Sequence, residues 1–273
     1  MNLNVFQILS GLLFAAAIAY YSYRLKALSA SGAISAVLIG TIIFGLGGII
    51  FAIPLLFFFI SSSFLSKITN PAKSRLDRLH GYSGPRDYRQ VLANGGTAAL
   101  FVIAFAVKGN YVWFIPYLAS LCESTADTWG TEIGTLSKSQ PISLRNFTPV
   151  DSGQSGAVSI LGTFGALIGA SATMLAAYYA NSIILKVPYF PISVWAISAF
   201  SGFAGSILDS ILGATAQAVY RCPKCQKITE SRIHCATSAY RQRGLPFIGN
   251  NTVNFISSLG SALLAAWLLT NWR

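Results

Sequence analysis

With 53% hydrophobic and only 10% charged residues among 273, this chain is not an ordinary soluble domain, where about 25% of residues carry charge. A mean hydropathy of +0.58 points to a membrane. The net charge of +11 then reads as loop Lys and Arg that set orientation, and no nucleic-acid partner is expected.

Eight apolar stretches approach the roughly 20 residues that span a hydrocarbon core: 5–23, 27–46, 47–66, 91–107, 111–122, 153–180, 191–217 and 251–270. The expected fold is all-α, a polytopic membrane helical bundle of about eight spans forming a single integral membrane domain over 1–273. The first span has no basic stretch before it and no Ala-x-Ala cleavage site, so it reads as a retained helix. Spans two and three meet at the turn Gly45-Leu46-Gly47-Gly48. The fourth is entered through Arg86, Gln90 and Asn94, spaced by four. Amides there either join helices or touch a ligand.

Span five is short and runs into Glu123-Ser-Thr-Ala-Asp127-Thr-Trp-Gly130-Thr131-Glu132, so a broken or half-buried helix is expected. In a helix Glu123, Asp127 and Thr131 share one face. Glu132 points elsewhere unless Gly130 breaks the helix. Adjacent carboxylates repel, and a divalent cation such as Mg²⁺ relieves that repulsion. The competing reading is a solvated helix end partnered by Lys and Arg.

Lys138 and Arg145 follow, then Asp151-Ser152-Gly153-Gln154-Ser155-Gly156 just before span six. Free backbone N–H groups at a helix N-terminus suit a phosphate; a plain N-cap turn on Ser152 is the alternative. Span seven carries Gly205, Asp209, Gly213 and Gln217 every four residues, with Ser206 beside them. An Asp on such a face needs a partner, a metal or a wet cavity.

The loop 218–250 holds Cys222-Pro-Lys-Cys225 and His234-Cys235, ligands for a tetrahedral Zn²⁺ or else a redox pair. Span eight opens on Asn250, Asn251 and Asn254, with Ser258 continuing the stripe.

If both termini lie outside, all but Lys108, Lys186 and Arg273 of the 19 Lys and Arg face inward. The long loops 67–90, 123–152 and 218–250 are then cytoplasmic. All eight acids (Asp77, Asp87, Glu123, Asp127, Glu132, Asp151, Asp209 and Glu230) fall on that side or at its rim. Without a nucleophile–base pair, the available chemistry runs on carboxylates, metal, cations and amides, the equipment of phosphoryl transfer.

Several of these motifs, in order from about residue 29 to the end, resemble an integral membrane family (domain of unknown function 92) that includes plant phytyl-phosphate kinases. They are Gln90-Val-Leu-Ala-Asn94-Gly-Gly, Asp127-Thr-Trp-Gly-Thr-Glu132-Ile-Gly, Gly153-Gln-Ser-Gly156, Gly205-Ser-Ile-Leu-Asp209-Ser-Ile-Leu-Gly213-Ala and Asn250-Asn251-x-x-Asn254-Phe. The Cys/His loop resembles that of microbial members and is lacking in animal ones, which implies a non-catalytic role. More distantly, the chain is similar to dolichol kinases and phosphatidate cytidylyltransferases.

The resemblance implies phosphorylation of a prenyl monophosphate (phytyl, geranylgeranyl or farnesyl type) to the diphosphate with CTP or another nucleotide. It implies Asp127, Glu132 and Asp209 as Mg²⁺ or phosphate-site residues, and Lys138 and the 152–156 turn as nucleotide-phosphate contacts. The expected site is therefore Asp127, Asp209, Glu132 and Lys138 for catalysis. Arg86, Gln90, Asn94, Glu123, Thr131, Arg145, Ser152, Gly153, Ser155, Gly156, Ser206, Asn250, Asn251 and Asn254 are expected to bind substrate or nucleotide. A CDP-lipid-forming cytidylyltransferase and a lipid or isoprenoid transporter are the rivals.

Overall fold

The computed structural model describes residues 5–68, 84–186 and 190–271. Asp77, Lys73, Arg75, Arg78 and Arg273, counted above in the reading of sidedness, lie outside them. The described residues form a helical bundle: α1 (Val5–Arg24), α2 (Ala30–Gly47), α3 (Ile49–Lys67), α4 (Tyr88–Lys108), α5 (Phe114–Gly134), α6 (Ile160–Tyr178), α7 (Ile192–Thr215) and α8 (Asn250–Asn271). All except α5 are long and apolar enough to cross a membrane. The chain is thus a polytopic helical membrane protein.

Successive helices alternate in direction. At one end Ser29 N–H donates to Arg86 O at 3.0 Å, joining the starts of α2 and α4. At the other, Gln7 Nε2 donates to Gly45 O at 3.0 Å and Asn181 Nδ2 to Ile50 O at 3.2 Å. The first of these ends also carries 135–159 and 216–249, and it is called the polar end below. Asp87 caps α4 there. Its carboxylate accepts from Gln90 N–H at 3.0 Å, while the Gln90 side chain accepts from Asp87 N–H at 3.1 Å, the reciprocal box that satisfies two otherwise orphaned donors.

The expected break in span five does not occur. The 111–122 stretch begins with a 3₁₀ turn at Tyr111–Trp113, and α5 then runs unbroken through the acidic segment to Gly134. Its polar residues face other helices, so hydropathy underestimates its length. Every residue from Phe114 to Ala126 is buried, and α5 packs against α3, α4, α6, α7 and α8. Small residues permit this closeness; a Cβ on Gly162 of α6 would lie 2.9 Å from Gly130 O. At the far end Phe114 stacks edge-on against Phe51 and Trp195, with centroids 5.0 and 5.5 Å apart. The adjoining Tyr117 donates its hydroxyl to Phe51 O. One end of α5 is therefore clamped in an aromatic core while the other carries the acids.

A second difference concerns span six. The segment 153–158 is not helical. Residues 157–158 form β2 (Ala157–Val158), paired antiparallel with β1 (Ile142–Ser143). The helix starts at Ile160 with Ser159, not Ser152, accepting from Gly162 N–H at 3.1 Å. Gly156 has φ +75°, and a side chain there would collide with the Ala214 backbone. The turn needs that glycine to sit against the end of α7.

The 218–250 loop is structured as well. Strand β3 (Val219–Arg221) lies between β4 (Ile228–Thr229) and β7 (Tyr240–Arg243), and β5 (Ile233–His234) pairs with β6 (Thr237–Ser238).

Candidate acidic site

Asp127 lies seven residues from the end of α5 and Asp209 six from the end of α7. At 1.5 Å per residue both sit about 10 Å below the polar end, one turn short of Glu123. Matching depth on neighbouring helices lets them converge. Gly205 brings α7 in, for a Cβ there would lie 2.7 Å from Glu123 Cγ and 2.8 Å from Ser261 Cβ. Glu123 feels the charges of Asp209 and Asp127, and Asp209 that of Asp127.

Helix α8 completes the site. Asn254 Nδ2 donates to Asp127 Oδ2 at 3.4 Å and to Asn94 Oδ1 of α4 at 3.3 Å. One turn on, Ser257 Oγ donates to Asp209 Oδ2 at 2.8 Å. Ser124 Oγ lies 3.3 Å from Glu123 Oε2 and 3.2 Å from Asn94 O. Glu123 is 1% exposed, yet its Oε1 has no hydrogen-bond partner, and neither has Asn254 Oδ1. Buried polar atoms are seldom left so. Carboxylate and amide oxygens are the kind of donor Mg²⁺ takes, while among the described residues the Cys/His cluster is the group whose ligand atoms already lie close enough to share an ion.

The remaining expected residues lie elsewhere. Glu132 follows Asp127 by five residues in an unbroken helix, so it projects from a different face, and its charge acts on the Arg86 guanidinium. Thr131 is exposed on the same turn. Gln90 is engaged in the α4 cap, and Ser206 donates within its own helix to Phe203 O at 2.8 Å. Lys138 and Arg145 are exposed in the 135–159 connection. Ser152, Gly153 and Ser155 stand in the turn that Gly156 anchors to α7, not at a helix N-terminus as expected. Cys222, Cys225, His234 and Cys235 gather in the 218–250 region, with their ligand atoms all within 4.8 Å of one another.

An apolar cleft reaches Asn94 from the side of α1–α3. A cavity of about 100 Å³ is walled by Ala15, Ile18, Ala36, Ile39, Phe58 and neighbours from α1–α3, and it ends on Arg86, Gln90 and Asn94. The Arg86 guanidinium lies 5.9 Å from the Phe58 ring centroid. On the other side of α4 a cavity of about 1080 Å³ is lined by Arg89, Tyr220, Glu230, Arg232, Asn250 and Asn251, among others.

Sequence reasoning gave no site role to Ser124 or Ser257. The expected stripe on α8 included Ser258, whose hydroxyl instead pairs with Thr97 Oγ1 at 2.9 Å. A helical wheel starting at Asn254 holds both serines. Only the position of α7 singles out Ser257.

The chain matches the family described as integral membrane protein DUF92 over residues 13–262. It is 31% identical to Protein PGR of Arabidopsis thaliana, over 96% of both chains. It is 30% identical to the uncharacterized membrane protein MJ0933 of Methanocaldococcus jannaschii, over 69% of this chain and 74% of that one. To the uncharacterized membrane protein sll0875 of Synechocystis it is 29% identical, over 61% and 63% respectively. No solved structure matches.

Proposed function

This chain belongs to the integral membrane protein family DUF92, and we propose that it is a membrane-embedded kinase that phosphorylates a prenyl monophosphate to the diphosphate at the acidic site. The observation that carries the reading is the double position of Asn94. It walls the apolar cleft, and it shares Asn254 with Asp127. An apolar tail lying in the cleft would deliver a head group past Arg86 to the carboxylates. An amphiphile with an anionic head matches an apolar cleft that ends on a guanidinium and two amides.

In this reading Arg86 holds the lipid phosphate and is kept in place by Glu132. Asn94 and Asn254 orient the head group toward Asp127 and Asp209. Those two carboxylates would hold Mg²⁺, which when bound supplies neutralisation of the phosphate charges. A phosphate monoester oxygen is already a nucleophile, so it attacks the γ-phosphorus of the nucleotide without a dedicated base. The bond from that phosphorus to the β–γ bridging oxygen breaks, and the nucleoside diphosphate leaves. Lys138, Arg145 and the 152–156 turn flank the nucleotide phosphates. The lysine and arginine count supports a cytoplasmic position for this end of the bundle, where nucleotide is plentiful.

The test is purified protein with Mg²⁺, geranylgeranyl or phytyl phosphate, and CTP, ATP, GTP or UTP in turn. Prenyl diphosphate with nucleoside diphosphate supports the kinase. Pyrophosphate with a CDP-lipid replaces it by a cytidylyltransferase. No product with any nucleotide, together with liposome uptake that survives Asp127→Ala and Asp209→Ala, replaces it by a transporter.

The cleft gives a separate prediction. Ala36→Trp fills its floor and is expected to raise KM for the prenyl phosphate about tenfold, equivalent to about 1.4 kcal/mol, with KM for nucleotide unchanged. Steady-state kinetics with each substrate varied in turn would check it. Equal effects on both substrates would remove the tail from this cleft.

A further inference from the structure

We infer that Cys222, Cys225, His234 and Cys235 hold one structural zinc ion, and that this ion keeps a small β module latched against the polar end of the bundle. The ligand atoms already cluster. His234 Nδ1 lies 3.5 Å from Cys225 Sγ and 3.3 Å from Cys235 Sγ. A tetrahedral ion with Zn–S near 2.3 Å and Zn–N near 2.0 Å separates sulfur from nitrogen by about 3.5 Å. All three of these cysteines are free thiols.

The backbone is shaped to present them. Around the first pair, Gln226 N–H donates to Cys222 O at 2.9 Å and Cys222 N–H to Lys227 O at 3.0 Å, with Gln226 at φ +59°. That folds Cys222 and Cys225 to one side. The second pair is adjacent in sequence, which looked unfavourable for joint ligation. The β5–β6 hairpin resolves this. Its two-residue turn is Cys235-Ala236, at φ +51° and +55°, and it swings the Cys235 sulfur back beside the His234 ring. Such a turn normally takes Asn-Gly. Cys-Ala in the left-handed region is costly and persists only where the surroundings hold it. Ligation supplies that hold.

A module of this size also needs a staple. Its three-stranded sheet spans only 219–243, and units below about 40 residues usually rely on metals or disulfides. Four protein ligands leave no open position, so the zinc is structural and not catalytic.

The module makes two connections. The Glu230 carboxylate accepts from Ser155 Oγ. Arg243 donates to Ala214 O at the end of α7 and, at 3.0 Å, to Ser155 O. The ion thus fixes the turn 152–156 to the helix that carries Asp209.

The experiment uses full-length protein in detergent, purified with reductant and without a metal-affinity tag, with metal content measured by plasma mass spectrometry. About one zinc per chain is expected. Cys222→Ser and Cys235→Ser should lose it, while Cys122→Ser, deep in α5, should keep it. Trypsin should cut the zinc-depleted protein faster at Lys224, Lys227 and Arg232, with the spans still protected. Wild-type protein that neither retains zinc nor takes up an equimolar amount overturns the inference, as does Cys222→Ser with a full complement. A Cys222–Cys225 disulfide in place of metal overturns it too. If the Ser variants fail to fold, the zinc content of the wild type still decides.

Discussion

Asp209→Asn is expected to reduce diphosphate formation about 10²–10³-fold, the scale of losing one preorganised electrostatic group in a water-poor site, while the thermal midpoint holds or rises. The substitution preserves shape, and the amide oxygen can still accept from Ser257. What it removes is one of three carboxylates that act on one another within the bundle. A neutral amide costs less to take out of water than a carboxylate, so activity and stability should move apart. Asp127→Asn should behave alike. Ser257→Ala should give a smaller loss, because it frees Asp209 to rotate without removing its charge. Rates at saturating Mg²⁺ and nucleotide, alongside melting curves in the same detergent, are the measurements. An Asp209→Asn protein working within a few-fold of wild type would remove this carboxylate from the mechanism.

Gly205→Leu is expected to damage the fold itself. The first atom of the new side chain would stand 2.7 Å from Glu123 Cγ, 2.8 Å from Ser261 Cβ and 3.1 Å from Ser257 O. These neighbours belong to two helices packed on both sides of α7, so neither can retreat alone. Overpacking of this kind costs about 1–3 kcal/mol and occasionally more. Gly260→Ala is the matched control. Its Cβ would meet only the flexible tip of Leu208, at 3.0 Å, and it should be close to neutral. Unfolding in mixed micelles would compare the two. Equal stability of Gly205→Leu and wild type would mean that α5, α7 and α8 are not locked together around the acids.

Much of the helical frame was legible because apolar runs of about 20 residues have one common destination. The ends of α1, α3, α4, α7 and α8 fall within a few residues of the predicted limits. The middle was harder. Hydropathy treats Glu123, Ser124, Asp127 and Thr128 as the end of a span, because it cannot know that a polar face has polar company. The 152–156 turn was read as a helix start for a related reason. Its serines and glycines are those of an N-cap, but pairing with Ile142 and Ser143 draws the segment into a hairpin first. The acids themselves stood out by rarity. Their partners did not, since Asn94 and Asn254 are 160 residues apart and only packing brings them together. Ser257 and Ser258 are indistinguishable until α7 is placed beside one and α4 beside the other.

The burial of α5 bears on how the protein is made. This helix is absent from the seven segments that, among the described residues, are apolar enough to enter a bilayer on their own merits, and it bears three carboxylates, Glu123, Asp127 and Glu132. Released singly from the insertion machinery, it would expose them to lipid tails, at a cost of several kcal/mol. Its neighbours α6, α7 and α8 are synthesised after it. The nascent chain must therefore hold α5 at the margin of the bilayer, or beside a chaperoning surface, until the C-terminal helices arrive to enclose it. Enclosure of the acidic helix is thus coupled to the synthesis of α6, α7 and α8.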